Sequence, residues 1–355
     1  MMYDERKNSR KILEAWTGPG KKDGTITPFK PEHDALHIDM NKRGNIEWWY
    51  FDARLDNGYT VVVFFRAKHE RTGKTGVELV IYKPTHEKIQ KIYNYKRSDF
   101  TASLQQAEVK IGKNYIHVDY SNEKFPSYEI YLDEGEHGVH LNYTATVPSW
   151  MPGKGYTRFG NLGVFGWVIP LPLATVQGKI KINGKEMSVK GMGYHDHNWL
   201  DFNPIKIIDY WMWGRMYSDN FTLIYAFIKC NKKWGNYPIK VLMLAKDGEI
   251  LESTGEYELV QEDFRFNEKI KSTYPNKLIF QIPENNRVEL NVQQIIDSDN
   301  LLFELNPVVR FIVKNILKLN PCYFRFFSQF KMQLNIENKS HEEEGATFHE
   351  MVILR

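Results

Sequence analysis

Six consecutive residues, Tyr194-His195-Asp196-His197-Asn198-Trp199, set a phenol, two imidazoles, a carboxyl, an amide and an indole side by side. On a strand, His195, His197 and Trp199 share one face, and Tyr194, Asp196 and Asn198 share the other. An aspartate between two histidines can be tuned either way: burial raises its pKa, and a protonated imidazole lowers it. Three readings fit. One is acid–base catalysis. Another is a structural hydrogen-bonded cluster. The third is a His-x-His metal pair, but no third ligand stands at a diagnostic spacing, so no metal is expected. Gly191 and Gly193 upstream permit a bulge; only a bulge, or a site between two domains, would bring both faces to one cavity.

A second constellation is aromatic. Asp209, Trp211, Trp213, Arg215 and Tyr217 share a face on a regular strand, and the next strand offers Phe221, Leu223, Tyr225 and Phe227. The plain alternative is a Trp-rich barrel wall holding an Asp–Arg pair. In a third stretch, Glu47, Trp49 and Phe51 oppose Trp48, Tyr50 and Asp52; both faces carry an acid, so the pattern does not say which points inward. His33, His37, His137 and His140 have no supporting cluster and read as surface or satisfied histidines. No phosphate loop, GxGxxG, serine elbow or HExxH occurs, so no nucleotide cofactor is expected.

These groups sit on short alternating segments bounded by Gly and Asn. Asp56-Asn57-Gly58, Asn183-Gly184 and Asp247-Gly248 each separate two such segments, as hairpin turns do. The chain therefore reads as all-β, a barrel or sandwich. Glu47-Trp48-Trp49-Tyr50-Phe51 aligns with Asp209-Tyr210-Trp211-Met212-Trp213, and Tyr59-Thr60-Val61-Val62 with Phe221-Thr222-Leu223-Ile224 without a gap. This suggests a duplicated unit. We expect a mobile segment 1–30, one domain over 31–200 and a second over 201–355, with 340–345 a solvated connection. Pro307 suits the start of a helix over Val308–Leu319. Its stripe of Arg310, Lys314 and Lys318 is a solvated face of a packed helix or, in the sharper reading, a peripheral membrane contact.

The 355 residues carry 47 Lys and Arg against 44 Asp and Glu, a net charge of +3, too balanced to argue for nucleic acid. Cys230 and Cys322 make no disulfide framework, which fits a reducing compartment. The charged N-terminus has no apolar core of a signal peptide, so a cytoplasmic location, with or without membrane association, is expected. Aromatics make up 14% of the chain, which suits strands and the lining of apolar cavities.

Glu47-Trp48-Trp49-Tyr50-Phe51, Gly178-Lys179-Ile180, Asn183-Gly184-Lys185, Gly193 to Trp199, Trp211-Met212-Trp213-Gly214-Arg215 and Gly345 to Glu350 together resemble the carotenoid 1,2-hydratase (hydroxyneurosporene synthase) superfamily. The resemblance runs in order from about 44 to 354. It implies two consecutive lipocalin-like barrel domains with a ligand cavity at or between them, and no organic cofactor. Members hydrate acyclic carotenoids, and relatives catalyse cyclisations. The chain departs from the family at Leu200, commonly Gly, and at Tyr225-Ala226-Phe227, where a Tyr-x-Asp is usual.

The implied chemistry is protonation of an unactivated alkene in an apolar isoprenoid or polyene. A buried neutral carboxylic acid donates, aromatic faces stabilise the cation, and water exclusion decides between hydration and cyclisation. Asp196 is the expected acid, tuned by His195 or His197. Trp199, Trp211, Trp213 and Tyr225 are the expected cation wall. Glu47 and Asp209 stand in reserve, and Glu47, Trp49, Tyr50, Tyr194 and Asp209 complete the substrate-binding set. The alternatives are a non-catalytic lipid or isoprenoid carrier and a pericyclase-type cyclase that transfers no proton.

Overall fold

The computed structural model describes residues 11–16, 26–69, 73–85, 87–302 and 320–355. They form two compact units, which divide between Asn203 and Pro204. Residues 11–16 belong to the first.

The first unit is an antiparallel sheet of thirteen strands, curled into a nearly closed barrel. It begins with β1 (Ile12–Leu13), β2 (Ile46–Leu55), β3 (Thr60–Lys68), β4 (Thr75–Tyr82), β5 (Lys88–Tyr95) and β6 (Phe100–Ala102). It continues with β7 (Val109–Ile111), β8 (Asn114–Asp119), β9 (Ser127–Asp133), β10 (Gly138–Ala145), β11 (Tyr156–Phe159), β12 (Gly163–Ile182) and β13 (Lys185–Leu200). The spatial order is β5-β4-β3-β2-β13-β12-β10-β9-β8-β7-β6, with β11 on β12 and β1 on β11. Strands β12 and β13 form a hairpin whose turn, Asn183-Gly184, has φ of 50° and 76°, the left-handed pair that a tight hairpin needs. Period-2 alternation sends Trp49, Phe51, Phe65, Tyr128 and Tyr143 inward, none more than 1% exposed.

The second unit is a nine-stranded half-barrel. Its strands are β14 (Ile208–Tyr217), β15 (Phe221–Cys230), β16 (Pro238–Lys246), β17 (Glu249–Thr254), β18 (Glu258–Asn267), β19 (Ser272–Ile282), β20 (Asn286–Asn300), β21 (Cys322–Ile336) and β22 (Lys339–Ile353). They run β17-β16-β15-β14-β22-β21-β20-β19-β18. Met212, Met216, Leu223, Tyr225, Phe280 and Phe324 form its core.

The two units share a plan. In each, the strand with the aligned acid–aromatic run pairs with the next strand and with the last one: β2 with β3 and β13, β14 with β15 and β22. The second aligned strand keeps its faces, since Val61 and Leu223 both enter the core. The first does not. The β14–β15 turn is one residue tighter than the β2–β3 turn (Tyr217 pairs with Thr222, where Arg54 pairs with Thr60), so Tyr210, Met212 and Met216 turn inward, where the acid-on-acid alignment would have placed Trp211 and Trp213.

Other expectations need correction. Residues 340–345 are not a loose connection: Ser340 to Gly345 pair with Asn335 to Phe330 across a turn at Glu337 and Asn338, both at positive φ. Within the expected N-terminal tail, Ile12 and Leu13 pair with β11, and Ala15 and Trp16 are buried. The helix expected over 308–319 lies outside the described residues. Among the described residues there is no α-helix, and so none long and apolar enough to cross a membrane.

Candidate functional site

Strand β13 lies between β2 and β12, and its alternation makes two sites from one motif. His195, His197 and Trp199 face the barrel interior with Glu47, Trp49 and Phe51 of β2. Tyr194, Asp196 and Asn198 face the other way with Trp48, Tyr50 and Asp52. This resolves the orientation of the Glu47–Asp52 strand: its Glu47 face points inward.

The inner site is a buried charge network. A 3-10 turn over Pro31–Asp34 carries Asp34 into the barrel. Its Oδ2 accepts from the Tyr128 hydroxyl at 2.8 Å and from His195 Nε2 at 3.0 Å, while His195 Nδ1 donates to the Tyr50 carbonyl at 2.9 Å. His197 Nδ1 lies 3.1 Å from Asp34 Oδ1, close enough for an ion pair but out of hydrogen-bond alignment, and its Nε2 donates to Glu47 Oε1 at 2.8 Å. All four ionisable side chains have zero exposure. Each imidazole thus has oxygen acceptors near both of its nitrogens. Burial would lower the His197 pKa, but its bonds to Asp34 and Glu47 outweigh burial and hold it at about 9. For Asp34 burial opposes ionisation, and the two imidazoles reverse it and hold the carboxyl far below its usual range.

Glu47 also accepts from the backbone amides of His37 and Ile38, at 2.8 and 2.9 Å. The His37 ring stacks on Trp199 at 3.7 Å, Trp49 on His197 at 4.4 Å, and Phe51 on His195 at 3.9 Å. The network fastens segment 31–38 to β2 and β13 and leaves the barrel interior filled by side chains. His37, read as an isolated histidine, belongs to it. Asp34 and Tyr128 were not anticipated: they stand 161 and 67 residues from His195 in sequence, and no local pattern marks them.

On the outer face, Asp196 Oδ2 accepts from Trp167 Nε1 at 3.0 Å and from the Tyr194 hydroxyl at 2.9 Å; Oδ1 accepts from Asn198 Nδ2 at 2.8 Å. Burial is the largest influence on this carboxyl and raises its pKa to about 6, against the donors Trp167 and Tyr194 and the charge of His195; Asp52 adds to the rise. Asp52 accepts from the Tyr50 hydroxyl at 2.7 Å. Tyr50 meets Phe64 edge-on at 5.0 Å and Tyr194 at 6.2 Å. Trp48, Phe64 and Trp167 are half-buried around this surface. The indole of Trp167 was another contact the sequence did not flag; β12 brings it opposite Asn198.

The residues expected as a cation wall face in different directions within their own units. Trp199 is inside the first barrel, and Tyr225 is inside the second unit, with its hydroxyl 3.2 Å from His349 Nδ1. Trp211 and Trp213 lie on the opposite face of β14 from Met212 and the core, with the Arg215 guanidinium 5.3 Å from the Trp213 ring. Asp209 is half-buried beside Arg355, and burial raises its pKa against that cation and Lys229. Among the described residues, no cluster of three or more His, Cys, Asp or Glu is arranged to hold a metal ion.

The described fold is that of a two-unit, lipocalin-like β protein. The chain belongs to the Svf1 family, whose sequence profile matches residues 59–354. It is similar to hydroxyneurosporene dehydrogenase of Chlorobaculum tepidum, 24% identical over 295 residues, which cover 73% of this chain and 76% of that one. Among solved structures it resembles CghA with Sch210972, at TM-score 0.62 and 12% identity over 97% of this chain and 98% of that chain. An AttH-like protein from Nitrosomonas europaea matches at TM-score 0.61 and 13% identity, over 94% and 98%. Kievitone hydratase from Nectria haematococca matches at 0.54 and 16%, over 92% and 98%.

Proposed function

We propose that the chain is a cofactor-independent enzyme that protonates a carbon–carbon double bond of an apolar isoprenoid or polyene, with Asp196 as the acid. The observation that carries this reading is the Asp196 carboxyl, 6% exposed and bound by Trp167, Tyr194 and Asn198. A carboxyl raised to about 6 keeps roughly a tenth of its molecules protonated at neutral pH. Tyr194 and Trp167 fix Oδ2, so Oδ1 is the oxygen that carries the proton. Trp48, Tyr50, Phe64 and Trp167 supply ring faces for a cation on this surface, in place of the Trp199, Trp211, Trp213 and Tyr225 set. His195 and His197 act from behind the strand, as its support. The names of the relatives above, a hydratase and a dehydrogenase, favour an enzyme over simple carriage.

The test is deuterium uptake from D2O into an acyclic polyene. Wild type should incorporate deuterium, and Asp196→Asn should slow incorporation by about 10²-fold or more. Product formed without deuterium, equally by both proteins, would make this a pericyclase. Stoichiometric binding with no turnover would make it a carrier.

A further inference from the structure

Both units bury imidazoles among aromatic rings, but with opposite partners. In the first, His197 stands between the carboxyls of Asp34 and Glu47, at 3.1 and 2.8 Å. In the second, His349 of β22 is 2% exposed, and each of its nitrogens meets a hydroxyl. Its Nδ1 lies 3.2 Å from that of Tyr225 on β15, and its Nε2 2.8 Å from that of Ser328 on β21. A hydroxyl can donate or accept, so a neutral ring is satisfied there in either tautomer.

The elements packed around His349 bring it no charge. The Phe326 ring lies 4.9 Å away, and Gly214 of β14 comes so close that a Cβ there would fall 2.6 Å from His349 Cβ. Arg215, Arg325 and Glu350 are chain neighbours of Gly214, Phe326 and His349, and strand alternation puts all three on the other face of the sheet. The titratable groups on the His349 side are phenols: Tyr225 and, beyond Phe280, Tyr257. Burial pushes both above their ordinary 10, so neither changes charge in mild acid. Burial alone acts on His349 and lowers its pKa to about 3. Strand β22 is the middle one of nine, between β14 and β21, so a charge forced on it acts where the two halves of the sheet join.

We infer that the second unit is an acid-sensitive switch: in mild acid His349 takes up a proton that its site does not accommodate, and the half-barrel opens at β22, while the first unit, whose His197 already faces two acids, stays closed. The unfolded chain binds this proton at the ordinary 6.5 and the folded chain only at about 3. The stability that His349 contributes is therefore full above pH 6.5 and is lost progressively toward pH 3. Through this group alone, the opening equilibrium of the second unit is about 30-fold larger at pH 5 than at pH 8. His197, raised to about 9 by its two acids against burial, has the reverse sign, so the same step in pH strengthens the first unit. In the second unit, burial raises Asp209 and Glu252, which also strengthen it in acid and oppose His349. The quantity to read is thus the difference between proteins that differ only at His349.

Hydrogen–deuterium exchange of the full chain, followed by mass spectrometry at pH 8 and pH 5 with each rate divided by the intrinsic rate at that pH, gives this difference. Peptides from β14, β21 and β22 report the second unit, and peptides from β2 and β13 the first. His349→Gln keeps a polar side chain but takes up no proton. The pH 5 to pH 8 ratio of opening in the second unit should be about 30-fold larger in wild type than in His349→Gln, whatever the variant costs in absolute stability. In wild type the first unit should keep its protection at pH 5. Equal ratios in the two proteins overturn the inference, and so does a first unit that loses protection together with the second. Should His349→Gln lose its β-sheet circular dichroism, wild type with nitrogen-15 in its histidines is read by NMR at pH 5. One imidazole should remain neutral there and shift in Tyr225→Phe, which marks it as His349. If the imidazole that responds to Tyr225→Phe is protonated in the folded protein at pH 5, the inference is overturned.

Discussion

Removing one partner from a buried ion pair strands the other, and in the inner site His197 stands between Asp34 and Glu47. His197 gives this a pH dependence. Its folded pKa of about 9 lies above the ordinary imidazole value of 6.5, so the folded state binds the proton more tightly. The resulting stabilisation is fully present below pH 6.5, declines as pH rises, and is gone above about 9. It is on the order of 3 kcal/mol for a shift of this size. Urea unfolding midpoints should therefore fall between pH 6.5 and 9, and the fall should be much smaller in His197→Gln. Equal slopes for the two proteins would show that His197 is not protonated in the fold. At this scale the sequence made His195, Asp196 and His197 visible, because unlike polar types stood together. It did not reveal their partners. Strand alternation splits the motif across a sheet, and the acid that neutralises both imidazoles arrives on a turn from far upstream.

Elements decide which side of the sheet each group reaches, and glycines let them lie close. A Cβ on Gly166 would fall 2.0 Å from Trp199 Cε2, so the indole lies flat across the backbone of β12 at the position with which it pairs. The same indole stacks on His37, which links this contact to the fastening of segment 31–38. Gly166→Ala should therefore cost about 3 kcal/mol, the upper end for overpacking. Much of that cost should vanish in a Trp199→Ala background, as urea denaturation of the four proteins of a double-mutant cycle can show. Additive effects would mean that the ring is not held by this contact. The hairpins at Asn183-Gly184 and Asp247-Gly248 were legible because left-handed backbone selects those residues. The β21–β22 turn was not, since Glu337-Asn338 followed by His341, Glu342, Glu343 and Glu344 looks like a solvated run. It is the charged far end of a hairpin whose other face carries Met332 and Leu334 into the core. The tighter β14–β15 turn likewise hid behind an alignment that matched residue types but reversed the faces.

For the whole molecule, two barrels with aromatic interiors invite the idea that a ligand goes inside one of them. The first barrel argues otherwise, because Trp49, Phe51, Tyr128 and the paired imidazoles already occupy its interior at or near zero exposure. If the Asp196 surface is the site, a ligand touches alternate residues of a single strand: Trp48 and Tyr50, but not Trp49 and Phe51. A diazirine-bearing isoprenoid, photolysed on the intact protein, should then label Trp48, Tyr50, Phe64, Trp167 or Tyr194. Tandem mass spectrometry must place the adduct to the residue, since neighbouring residues on one peptide carry opposite meanings. Adducts on Trp49, Phe51 or Tyr128 would require the inner network to open and segment 31–38 to leave, and would return the ligand to the barrel interior. Labelling should also drop when excess lycopene competes. Labelling that ignores competition would reflect the general stickiness of half-buried aromatics, and the outer face would lose its standing as a ligand site.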